Sequence, residues 1–286
     1  MARIDIVYRC DEGTSGIRER PRNSEEAKRR LNDGNLAFAS LFSAAAHGED
    51  VRHEIDVDPR DLGLRASGDA PLQQAPFAAI LGCADARVPV ELIFNEGPND
   101  LFVVRVAGNT LGDDVLGSLK YAVEHLRMSL KLIVVLGHSG CGAVTAAVDV
   151  FLNPAAYLGL TSSHAIRMLV DRLQVVVHVA ALRIDQECGA AIKEHPRYRD
   201  LLIELAVMMN AALAAHTLQQ AINLNEGAEA RTAYGVYVLS DRMVWAPRAG
   251  SEDVLGVAAP PDHAQGFVDL AAAALRSRRM TDLLSD

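Results

Sequence analysis

Residues 130–144 read Leu-Lys-Leu-Ile-Val-Val-Leu-Gly-His-Ser-Gly-Cys-Gly-Ala-Val. The run 130–137 (LKLIVVLG) is too short for an ordinary helix and lacks the alternation of a half-exposed strand. A continuous apolar run bounded by Gly fits a strand covered on both faces, as in a parallel sheet. Directly after it come His138, Ser139, Gly140 and Cys141. Two more runs of the same kind precede it. PFAAILG (76–82) leads into Cys83-Ala84-Asp85-Ala86-Arg87, and LFVVRVAG occupies 101–108. Between the second and third runs, residues 115–128 carry Leu116, Leu119, Ala122, Val123 and Leu126 at helical spacing. Strand, helix and strand over 101–137 make a βαβ unit.

The flanks read outward from this core. Residues 1–23 are expected to form an irregular arm, with RERPRN as a loop. Ser24 followed by Glu25 and Glu26 marks a helix start, by capping and by favourable charge at the N-terminal dipole. That helix (24–46) has Leu31, Phe38, Leu41 and Phe42 on its apolar side and Gly34 as a weak spot. Residues 47–76 read as polar loop. The 155–222 region is helix-rich, with two or three helices over 163–222 broken near Gly189 and His195-Pro196. RTAYGVYVLSDRMVWA (231–246) alternates apolar and polar across Ser240-Asp241, a late hairpin or edge strand. The segment 250–286 is a C-terminal extension, helical from Phe267 to Leu284. One α/β domain with a long helical insertion is the simplest account.

Composition limits the function. The chain has 286 residues, half of them hydrophobic, and a net charge of −9. It is too apolar and too sparsely charged for a disordered chain. An acidic protein binds nucleic acid only through a local basic patch. The densest basic cluster, Arg18, Arg20, Arg22, Lys28, Arg29 and Arg30, is interrupted by acids, so no nucleic-acid partner is expected. No uncharged apolar stretch of about 18 residues occurs, so no membrane span is expected. The N-terminal residues lack a signal-peptide core, and a cytoplasmic location is expected. Four cysteines are too few for a disulfide framework.

Sites in parallel α/β sheets form at the carboxyl ends of strands. Adjacent strands would therefore bring Cys83 to His138 and Cys141, although 55 residues separate Cys83 from His138. Two thiolates and an imidazole suit zinc, and three protein ligands leave a fourth position open, the pattern of a catalytic site. If Asp85 took that position permanently, the site would be structural. Gly137-His138-Ser139-Gly140-Cys141 departs from a nucleophile elbow at its fifth position, so Ser139 is set aside as an acyl-transfer nucleophile. Asp113, Asp114 and Glu91 read as loop or helix-start acids.

The motifs C-A-D-A-R-V-P (83–89), D-L-F-V-V-R-V-A-G-N (100–109) and L-G-H-S-G-C-G-A-V (136–144) resemble those of β-class carbonic anhydrases. Y-A-V-E-H-L (121–126), G-N-L-A-F (34–38) and G-V-Y-V-L-S (235–240) fit as well. The resemblance is strong over 76–150, slight over 155–222, and absent over 1–20 and 250–286. It implies a four-stranded parallel sheet with a fifth edge strand, flanked by helices. It implies one zinc ion per chain on Cys83, His138 and Cys141, and interconversion of CO₂ and bicarbonate by zinc-bound hydroxide. Asp85 and Arg87 match the family's aspartate–arginine dyad, which gates the metal: Arg87 holds Asp85 back, or Asp85 closes on zinc. The resemblance also implies a homodimer or dimer of dimers, with helix 24–46 embracing the partner. Gly142, Tyr121 and Val115 or Leu116 match positions near the substrate cleft.

Departures from the family matter too. A Gln-bearing stretch often precedes the second strand, and here Asn95-Glu96-Gly97 stands there. An ionised Glu96 cannot donate a hydrogen bond, so Asn95 takes that role at the substrate or binding weakens. A second bicarbonate site built on an N-terminal tryptophan is not matched, because the only Trp is Trp245. Two thiolates already neutralise Zn²⁺, so activity is expected to need alkaline pH. The same metal site could instead hydrolyse carbonyl sulfide or carbon disulfide, or serve a catalytically silent, zinc-stabilised scaffold.

Overall fold

The structure is a computed structural model that describes residues 2–10, 19–62, 73–159, 163–223, 230–248 and 250–285. Its centre is the sheet expected from the apolar runs. Strands β3 (Ala78–Gly82), β4 (Leu101–Arg105), β5 (Leu132–His138) and β6 (Arg231–Tyr237) are mutually parallel, and β7 (Val244–Trp245) pairs antiparallel to β6. The order is β4-β3-β5-β6-β7.

The continuous apolar runs arise because each face of the sheet is covered. Ile133 and Val135 of β5 face one core cluster, while Leu132, Val134 and Leu136 face the other. In β3, Ala79 and Leu81 join the first cluster and Ala78 and Ile80 the second. The first face is covered by α3 (Asp113–His125), α4 (Gly142–Leu152), α6 (His164–Cys188), α7 (Tyr198–Asn223) and α8 (Ala264–Arg276). The second is covered by α1 (Ser24–Ala46) and α2 (Val90–Ile93). A short α5 (Ala156–Gly159) follows α4, and α9 (Arg278–Ser285) ends the described chain.

α6 and α7 break where expected, at Gly189 (φ +82°) and just before Tyr198. α7 contains a stretch long and apolar enough to cross a membrane by length and composition, although it carries Glu204 and so is not an uncharged run. That stretch is 83% buried inside the fold, as a core helix is.

Four local expectations are corrected. The arm 1–23 is not wholly irregular, nor is 47–76 all loop: β1 (Ile4–Arg9) pairs in parallel with β2 (Val51–Asp56), Ile4 opposite Val51. Residues 11–18 of that arm lie outside the described residues. The cap of α1 is Asn23, whose Oδ1 accepts from Glu26 N at 2.9 Å; Ser24 is already helical. Gly34 is a contact point: a Cβ there would stand 2.0 Å from Phe94 O. α1 is thus seated on its own subunit through Ala27, Leu31, Gly34, Asn35, Phe38 and Leu41. Asn35 pins it there, donating to Ile93 O (3.2 Å) and Arg242 O (3.0 Å) and accepting from Val244 N (2.8 Å).

Candidate metal centre

From β3 the chain steps to β4 on one side, and from β5 to β6 on the other. The strand order therefore reverses between β3 and β5, and a crevice opens beyond their carboxyl ends. Cys83 leaves β3 there, His138 ends β5, and Cys141 caps α4. All three are buried, and their ligand atoms lie within 4.8 Å of one another.

The donor set fits zinc on two counts. A tetrahedral zinc with Zn–S bonds of about 2.3 Å holds its two sulfurs about 3.8 Å apart, and Cys83 Sγ and Cys141 Sγ stand 3.9 Å apart. His138 Nδ1 lies 3.0 Å from Ser139 O. A carbonyl only accepts, so Nδ1 carries the proton and Nε2 presents a bare lone pair. Nε2 is buried and has no hydrogen-bond partner among the described residues. Leaving such an atom unpaired is costly, and a metal ion would satisfy it.

Local backbone prepares the thiols. Gly108 N–H points at Cys83 Sγ (3.4 Å), helped by the left-handed turn of Gly108 (φ +66°). The Cys83 thiol is pushed down chiefly by its hydrogen bond with Cys141, and further by backbone N–H groups. Cys141 is pushed up by the same Cys83 contact and by burial, against the pull of the Val144 and Ala143 amides opening α4. The buried pair thus gives up its first proton easily and holds the second.

Asp85 stands beside the cluster, with Oδ2 3.8 Å from His138 Nε2. Both carboxylate oxygens are held by Arg87: N and Nε donate to Oδ1 (2.9 and 3.0 Å), and an Nη donates to Oδ2 (2.7 Å). These bonds hold the Asp85 carboxyl well below the usual carboxylate range. Sequence reasoning missed Arg105, whose guanidinium donates to Cys83 O (3.0 Å) and Asp85 O (2.6 Å) and so fixes the loop between ligand and acid. Its only signal was a lone Arg at the end of an apolar strand.

The other expected site residues fare differently. Gly142 opens α4 next to Cys141, and a Cβ there would stand in open space. Val115 and Leu116 are partly buried against the cluster that includes Cys83 and Cys141. Tyr121 is 49% exposed and stacks on His125, 4.4 Å between centroids; the structure does not bring it into the metal cluster. Glu96 needs correction as a substrate contact. It is buried and engaged by Arg30, with Nε–Oε1 2.9 Å and Nη–Oε2 2.5 Å, and so helps fasten α1. Asn95, the alternative donor, has its Oδ1 on His53 Nε2 (2.6 Å).

The family model described as carbonic anhydrase matches residues 78–237, which span every strand of the parallel sheet and the three candidate ligands. The chain belongs to the β-class carbonic anhydrases. Among similar curated relatives, carbonic anhydrase 2 of Mycobacterium tuberculosis is 44% identical over 126 residues, covering 44% of this chain and 53% of that protein. The carbonic anhydrase of Mycolicibacterium smegmatis is 37% identical over 151 residues, 53% of this chain and 63% of that one. The chain thus spans a little over half the length of the curated relatives it matches. The Coccomyxa β-carbonic anhydrase solved with acetazolamide aligns at 22% identity, covering 80% of this chain and 87% of that one, with a TM-score of 0.48.

Proposed function

We propose that this β-carbonic anhydrase catalyses the reversible hydration of CO₂ to bicarbonate and a proton, with Cys83, His138 and Cys141 holding one zinc ion. The observation that carries the reading is the unspent Nε2 of His138, facing two thiols at tetrahedral spacing beside an arginine-held carboxylate. When bound, zinc supplies the Lewis acidity that lets a water lose its proton far more easily than in bulk. The remaining work falls to the chain. Asp85 stays ionised at neutral pH because Arg87 binds both its oxygens. Its Oδ2, on the His138 side, is therefore an acceptor that can orient the attacking water and take up its hydrogen bond. Arg87 also keeps that carboxylate from closing on the metal. CO₂ is apolar and needs a greasy wall. The proposed wall is Val106, Leu111 and Val115, which pack against the broad core that also includes Cys83 and Cys141. Gly142 leaves the approach beside Cys141 clear of any side chain.

Self-association belongs to the same reading. α6 leaves Met168, Val175, Val179 and Leu182 exposed along one stripe, an apolar surface suited to a second copy of this chain. A homodimer or dimer of dimers is expected by sedimentation analysis.

Stopped-flow CO₂ hydration on zinc-quantified protein from pH 6.5 to 9 tests the reading. Turnover rising with pH at one zinc per chain supports it. Bound zinc with no turnover at any pH overturns it, and carbonyl sulfide and carbon disulfide would then be assayed on the same sample.

A further inference from the structure

Only Ser139 and Gly140 separate the ligands His138 and Cys141, so their conformation aims both. Gly140 is left-handed (φ +61°), a turn that favours glycine. Ser139 is fixed from the sheet side: its N donates to Tyr237 O, and its Oγ accepts from Leu239 N, each at 3.0 Å. The peptide between the two residues is pinned at both ends. Its carbonyl, Ser139 O, accepts from His138 Nδ1 at 3.0 Å. Its amide, Gly140 N–H, donates to Glu204 Oε1 on α7 at 2.8 Å. The other oxygen of Glu204 is gripped by Arg279 of α9 at 2.5 Å. Arg279 in turn lies over the Trp245 ring, 5.9 Å from its centroid, and the indole N–H donates to Glu252 O at 3.0 Å.

We propose that Glu204 is a positioning residue for the metal centre, acting through the Ser139–Gly140 peptide on His138, and that Arg279 makes the C-terminal helices part of this brace. The inference rests on Cys83, His138 and Cys141 holding zinc. Two physical effects combine. The carboxylate fixes the plane of the peptide, which sets the tilt of the imidazole and the direction of Nε2. A charged acceptor on the N–H also polarises the peptide, so its carbonyl draws more strongly on Nδ1–H and Nε2 becomes a better donor. The nearest ordinary alternative is a surface ion pair, which would contribute little. Against it, Glu204 and Arg279 are both mostly buried, and one oxygen of Glu204 is committed to the metal loop.

The test compares Glu204→Ala, Glu204→Gln and Arg279→Met, with Arg278→Ala as a control on an exposed neighbour. Zinc affinity is read by competition with a chromophoric chelator, and ligand geometry by the visible spectrum of the cobalt-substituted protein. Loss of a group that orients a metal ligand typically weakens metal binding by about 10- to 100-fold. Glu204→Ala is expected in that range with a shifted cobalt spectrum. Glu204→Gln keeps an acceptor for Gly140 N–H and is expected to restore most of both, with Arg279→Met in between and Arg278→Ala unchanged. Wild-type affinity and spectrum in Glu204→Ala overturn the proposal. So does equal loss in the Ala and Gln variants tracking a fall in melting temperature, which means bulk destabilisation only. If Glu204→Ala fails to fold, the Gln and Met variants decide on the same readouts. If the wild-type chain binds no zinc, the reading of the metal centre fails on its own. Hydrogen exchange at Gly140 in the metal-free protein then still decides the brace: faster exchange in Glu204→Ala supports it, and unchanged exchange overturns it.

Discussion

Gly34→Ala pits local propensity against tertiary contact. Within an exposed helix the change would stabilise by about 1 kcal/mol, because Ala is the better helix former. At Gly34 the added Cβ would stand 2.0 Å from Phe94 O, 2.8 Å from Phe94 C and 3.4 Å from Asn95 Cβ. The obstacle is backbone, so α1 itself has to retreat by more than about 1 Å to reach ordinary contact. Retreat strains the neighbouring residue, Asn35, whose three bonds to Ile93 O, Arg242 O and Val244 N join α1 to α2 and β7. It also strains the Arg30–Glu96 pair one turn earlier. Overpacking costs about 1–3 kcal/mol, and one buried polar group left unpaired about 1–3 kcal/mol more. After the helix gain is subtracted, a net loss of about 1–5 kcal/mol is expected. Urea unfolding followed by circular dichroism and by Trp245 fluorescence measures it. A variant as stable as the wild type, or stabler, would refute the seating of α1 on Phe94.

Other outcomes follow from the same geometry. Arg30→Met removes the cation bound to the buried Glu96 carboxylate and is expected to cost about 3–5 kcal/mol in urea unfolding, with Arg30→Met/Glu96→Gln recovering much of it; a loss below about 1 kcal/mol would count against the pair. Zinc binding is expected to release about one proton per chain near pH 7. Cys83 is pushed down and already ionised, whereas Cys141 is pushed up and still protonated until the metal displaces its proton. Apparent affinity should then rise about tenfold per pH unit. Calorimetry in buffers of different ionisation enthalpy reads this, and two protons or none would contradict it. Asp85→Asn should keep zinc and lose turnover by about 10²-fold or more in stopped-flow assays. Because Asp85 is held well below the usual carboxylate range, it stays ionised from pH 6.5 to 9. The rise of the wild-type rate over that span must come from another group, and a rate flat over the same span would sink the alkaline expectation.

How much was legible depended on how local each cause was. The central strands could be read because burial on both faces removes alternation, leaving runs such as Leu132–Leu136 that few other structures need. The pair β1 and β2 could not. Their parallel register joins Ile4 to Val51 with no tight turn to announce it, and polar residues punctuate both strands. Glu96 was misread because its place in the chain, just ahead of β4, suggested the crevice, while Arg30 draws it to α1 instead. Gly34 looked like a flaw in a helix because the carbonyl it admits lies 60 residues further on.

By itself the sequence determined the parallel sheet, the Cys83–His138–Cys141 ligand set and the Asp85–Arg87 contact. The strands and the acid–base pair rest on short-range causes, apolar runs and an acid and a base two residues apart; Cys83 meets Cys141, 58 residues on, because both follow parallel strands that lie side by side. Only the tertiary structure decided that α1 is seated on its own sheet, that Arg105 holds the Cys83 loop, and that Glu204 and Arg279 bear on the peptide behind His138. Those contacts join residues 22 to 75 positions apart or more. Their partners are chosen by how helices stack on the sheet, and no local spacing in the chain encodes that choice.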